Sequence, residues 1–62
     1  MMDKKILIFE AVLSIIKANG FHSKIKISDI ADKAGIGKGT VYEYFSNKEE
    51  ILTESIIYLM KN

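Results

Sequence analysis

The chain has 62 residues, is 48% hydrophobic, and contains neither cysteine nor proline. At this size one small domain is the ceiling, because a chain of about 60 residues buries only about 60% of its unfolded surface, and no disulfide or thiolate zinc site can staple it. Nine lysines against eight acids leave a net charge of +1 and no arginine, which excludes a broad basic field and leaves any polyanion to locally gathered lysines, hydroxyls and backbone amides.

The first element spans about Asp3 to Asn19. Phe9, Val12, Leu13 and Ile16 recur at helical spacing, and Glu10, Ser14 and Lys17 line a polar face. Lys4 and Lys5 ahead of the apolar run Ile6 to Ile16 imitate a secretory signal. Glu10 interrupts that run, however, and no small-x-small cleavage site follows. The run is also far short of the ~20 apolar residues of a bilayer span, so it reads as a buried helix and no membrane partner is expected. Asn19-Gly20-Phe21 reads as a helix stop, with Gly20 as the left-handed residue and Phe21 packing back onto the last turn.

A short connection, residues 22 to 26, carries Lys24 and Lys26. The second helix is expected over residues 27–34, with Ile27, Ile30, Ala31 and Ala34 inward and Gly35 ending it. Lys26 stands where a hydroxyl cap is usual, leaving Ser28 as the alternative cap. A third helix is expected over about 38–45, with Gly37 as N-cap and Val41 and Phe45 facing inward beside Ile36. At 100° per residue its opposite face is Gly39 and Glu43, with Thr40 and Tyr42 more oblique. Ser46-Asn47 closes that helix and opens the fourth, over about 47–61, where Asn47 and Glu50 imitate a capping box. Leu52, Ile56 and Leu59 form its expected core stripe. No strand signal occurs, so the fold class is all-α, a four-helix domain.

Gly35-Ile36-Gly37-Lys38-Gly39-Thr40 imitates a phosphate-binding loop. A Walker loop needs its first glycine at position 32, which is Asp32, and a strand before it rather than an amphipathic helix. The single histidine, His22, has no acid or thiol at ligand spacing, and no serine has a histidine placed to activate it. No catalytic constellation, cofactor site or metal site can be assembled, and an enzyme is not expected. What remains is two short helices joined by a glycine turn, a helix-turn-helix, whose second helix would enter the DNA major groove by its N-terminal residues. Lys38 offers charge, Thr40 a hydroxyl, and Tyr42 and Tyr44 phenolic donors. Gly39 allows close approach to a phosphate. From geometry alone two readings stand: a DNA-binding module, or a small helical protein–protein interaction module without DNA binding.

The stretch "IADKAGIGKGTVYEYFSNKEEIL", Ile30 to Leu52, closely resembles the N-terminal domain of the TetR (tetracycline repressor) family of bacterial regulators. Ile30, Ala31, Ala34, Gly35, Gly39, Thr40, Tyr42, Tyr44, Phe45, Lys48, Glu49 and Leu52 match the family pattern, with Ile36 for its valine. Upstream, Ile6, Leu7, Ala11, Leu13, Gly20 and Phe21 echo its first helix and stop. The resemblance implies a homeodomain-like helix-turn-helix in which the third helix reads operator DNA. It further implies Lys38, Gly39, Thr40, Tyr42 and Tyr44 as contacts on that helix, Lys48 as a phosphate-gripping lysine, and Ser28 as a backbone contact from the second helix. Glu43 sits at a variable position. There it either accepts from a cytosine amino group, worth ~1–3 kcal/mol of discrimination, or is a solvated acid that tempers phosphate affinity.

Two features depart from the pattern: a loop one residue longer between Gly20 and Ile30, and Lys26 in place of the capping hydroxyl. Length is a third. Family members continue from helix four into an all-helical domain that binds a small effector and forms the dimer. The resemblance therefore implies a DNA-binding fragment of a cytoplasmic bacterial repressor, monomeric alone, whose intact homodimer binds palindromic double-stranded operator DNA. Ile57, Tyr58 and Met60 are then expected to meet the absent C-terminal domain.

Overall fold

A computed structural model of the chain describes residues 3–20 and 24–61. Every regular element among them is an α-helix: α1 (Lys4–Asn19), α2 (Ile27–Ala34), α3 (Lys38–Tyr44) and α4 (Lys48–Lys61). The all-α class expected from the sequence is the observed one.

Asp3 opens α1 from an extended backbone, and its Oδ1 accepts from the Lys5 amide at 2.9 Å. One of the four amides that a helix start leaves unpaired is thereby satisfied. At the other end Gly20 has φ 88°, and its amide donates to the Ile16 carbonyl at 2.7 Å. The Phe21 contact expected there, and His22, lie outside the described residues. The buried residues of α1 are Ile8, Phe9, Ala11 and Val12, with Ile15 and Ile16 at the margin of the core. Leu13, expected inward, is only partly buried. The stripe 8, 11/12, 15 fits the 3.6-residue period around Ile8, and Leu13 falls beside it.

In α2, Ile30 and Ala31 are buried, and Ile27 and Ala34 pack against the cluster edge. Lys26 occupies the N-cap with no side-chain cap bond, and Ser28 lies inside the first turn, so neither caps the helix. The helix ends in a Schellman arrangement. Gly35 is left-handed at φ 75°, ψ 29°, its amide reaches the Asp32 carbonyl at 3.2 Å, and the Ile36 amide reaches back to Ala31 at 3.0 Å. A side chain at that φ costs about 1–2 kcal/mol, which is why glycine stands there.

The expected face of α4 needs correction. Ile51 and Ser55 are its buried residues, and Tyr58 packs on the same core. Leu52 is only partly buried, and Leu59, expected in the stripe, is 57% exposed. Tyr58, expected on the outer surface, lies against Phe9 with ring centroids 5.2 Å apart. Ile57 and Met60 do stand exposed. The buried Ser55 is tolerated because its hydroxyl donates to the Ile51 carbonyl one turn back, at 2.7 Å.

The core forms where α1 packs against both α2 and α4, while α3 packs on α2. Ile8, Val12, Ile30, Val41 and Ile51 are all fully enclosed, each worth about 1.5–3 kcal/mol of transfer free energy. Ile25, in the connection before α2, is buried with them. Phe45 joins this core by its ring, 5.8 Å from that of Phe9. The Lys5 ammonium lies 5.8 Å from the Phe45 ring centroid, a cation–π distance.

Candidate nucleic-acid interface

The turn between α2 and α3 is three residues, Gly35 to Gly37. Its geometry follows from the Schellman bonds and from Ile36, which tucks against the core. Gly37 then starts α3 from extended backbone at φ −80°, ψ 156°, with no side-chain cap. The α3 residues Val41 and, at its end, Phe45 are buried. That commitment orients the remainder of the helix.

Relative to Val41, at 100° per residue, Gly39 and Glu43 form the outward crest. Lys38 and Tyr42 share one flank, Thr40 and Tyr44 the other. Exposure agrees: Lys38, Gly39, Tyr42, Glu43 and Tyr44 are exposed, and Thr40 is intermediate. Tyr42 is 51% and Tyr44 38% exposed, so the second tyrosine leans further onto the body of the domain. Six of the eight expected site residues thus lie on one short helix. Ser28 sits half-buried in the first turn of α2, and Lys48, also half-buried, is the first residue of α4.

The corner that carries Lys48 is pinned twice. Asn47 Oδ1 accepts from the Glu50 amide at 2.8 Å, and Glu50 Oε1 accepts from the Ser46 amide at 2.9 Å. The return bond reaches one residue further back than in a standard capping box, where it would meet the Asn47 amide. It ties the end of α3 to the start of α4, which sequence spacing alone does not reveal. Asn47→Ala is expected to lower stability by about 0.5–2 kcal/mol, read as a shift in the urea midpoint without a change in slope.

Sequence reasoning also passed over Lys5. Lys5 and Phe9 are four apart on one face of α1, but that both meet Phe45 is set by tertiary packing and not by a local pattern. The nucleotide-loop reading fails on structure: the residues before Gly35 are helix α2, not a strand. Among the described residues no helix is long and apolar enough to cross a membrane.

A short helix, a three-residue glycine turn and a second short helix with a polar, aromatic outer surface make a helix-turn-helix domain. The two helices and their turn fall within residues 8–54, the stretch matched by the model of the bacterial regulatory proteins, tetR family, and the chain belongs to that family. It is 45% identical over 49 residues to the fatty acid metabolism regulator protein of Bacillus subtilis (strain 168), covering 79% of this chain and 25% of that protein. It is 39% identical over 61 residues to the HTH-type transcriptional regulator YhgD of the same organism, covering 97% of this chain and 31% of that one. No solved structure gives a significant match. The chain spans about a quarter to a third of the length of these relatives. The matched stretch is the helix-turn-helix DNA-binding domain of this family.

Proposed function

We propose that α3 reads a double-stranded operator from the major groove. Lys38, Gly39, Thr40, Tyr42, Glu43 and Tyr44 face base edges and the flanking phosphates, while Ser28 and Lys48 hold the backbone. The observation that carries this reading is the division of α3: Val41, with Phe45 at its end, is buried, and the polar and phenolic side chains turn outward. Glu43, on the crest, is an acid in the middle of a surface that must meet phosphates. It therefore either accepts from a cytosine amino group or tempers affinity, and Glu43→Gln separates the two by relaxing base preference or merely tightening binding.

The chain is the DNA-binding part of a longer repressor in the bacterial cytoplasm. That protein dimerises on a palindromic operator and is released by a small effector held outside these residues. The short share of its relatives that the chain spans supports this. Alone, the 62 residues occupy one half-site as a monomer, and few phosphate contacts give a shallow salt dependence, about −0.9 in log K per log salt for each phosphate neutralised.

Selection of bound duplex from a random pool, followed by titration, tests the reading. Lys48→Ala should weaken binding across sequences and flatten the salt slope by about 1. Tyr42→Phe should cost about 0.5–1.5 kcal/mol on the selected site, with circular dichroism unchanged for both. Absence of salt-sensitive binding even at high protein concentration would instead favour a helical interaction module.

A further inference from the structure

We infer that Lys5, on the first turn of α1, is a further DNA-backbone contact that works beside Lys48. The inference rests on the reading of α3 as the DNA-facing helix. It adds a residue upstream of the 8–54 stretch that the family model matches.

Three observations converge on this position. The Lys5 ammonium lies 5.8 Å from the centroid of the Phe45 ring. Phe45 is the residue at which α3 ends, and Lys48 follows across the Ser46-Asn47 corner. Lys5 is only half-buried, so the ammonium that meets the ring keeps access to water. The ammonium of α1 is thus held at the end of α3, three residues in sequence before the lysine proposed to grip phosphate. The Asp3 carboxylate accepts from the Lys5 amide at 2.9 Å, and that of Glu50 from the Ser46 amide at 2.9 Å.

The net charge of the chain is only +1, so a polyanion must be met by locally placed lysines. Lys5 and Lys48 bring charge to that corner from two helices distant in sequence, against the acids Glu49 and Glu50 in the first turn of α4. A side chain resting on an aromatic face is held in place before DNA arrives, so less rotamer freedom is lost on binding.

The test is the salt slope of binding to a fluorescently labelled duplex of mixed sequence, between about 50 and 200 mM salt. Lys5→Met keeps an apolar stem on Phe45 and removes the charge. It should flatten the log K against log salt slope by about 0.9 and weaken binding most at low salt, with helicity unchanged. Lys5→Arg should keep the wild-type slope. A purely structural Lys5 would change the urea midpoint but leave the slope alone. If Lys5→Met retains the wild-type slope while Lys48→Ala flattens it, the inference is wrong and the DNA reading stands. If the wild-type chain itself shows no salt-dependent binding, both are wrong.

Discussion

Ile30→Ala is expected to leave the chain largely unfolded at room temperature. Ile30 is fully buried on α2, the helix that packs on both α1 and α3. Truncating a buried isoleucine to alanine costs about 2–5 kcal/mol, through lost transfer energy and the cavity left behind. At about 0.05–0.15 kcal/mol per residue, a domain of this length has a total stability of about 3–9 kcal/mol. Small size pushes it toward the lower end. The loss is therefore comparable to the whole. Far-UV circular dichroism should fall, and a urea transition, if one survives, should move to much lower denaturant. A variant with the wild-type midpoint would mean that α2 is not seated in the core as described.

The sequence made some of this architecture readable and hid the rest, for physical reasons. The α2-turn-α3 unit was legible because its signals are local. Ile30 and Ala31, then Val41 and Phe45, fall at helical spacing on either side of a glycine that must be left-handed. The face of α4 was not legible. Residues 56–60 are apolar without a break, and 52/56/59 fits the i, i+4, i+7 pattern better than 51/55/58, which places Ser55 inward. The choice falls to contacts with α1, where Tyr58 stacks against Phe9 and Ser55 satisfies its own hydroxyl. Ile25 escaped for a similar reason, since a single apolar residue between lysines carries no period. For the candidate site, the outward face of α3 could be placed from spacing because one helix carries it. The proximity of Lys5 to Phe45 joins positions forty residues apart in the chain, and no local pattern encodes it.

Gly39→Ala should separate stability from binding. Gly39 is the second residue of α3, has φ below zero, and nothing lies within 4 Å of where a Cβ would stand. The free domain therefore gives no packing or conformational reason for glycine. Alanine there should stabilise the fold by about 0.4–1 kcal/mol, mainly by narrowing the unfolded ensemble. If the crest of α3 meets DNA closely, the added methyl occupies space that a phosphate or base edge needs. Loss of one close contact of about 1–3 kcal/mol corresponds to about a 5- to 150-fold weaker half-site affinity. The two measurements move in opposite directions, which a residue serving only the fold cannot produce. A raised urea midpoint together with unchanged DNA affinity would take Gly39 off the interface and shift the reading toward the flanks, Lys38 with Tyr42 and Thr40 with Tyr44. A lowered midpoint would instead point to a constraint on α3 within the free domain, and the glycine would then belong to the fold rather than to the operator.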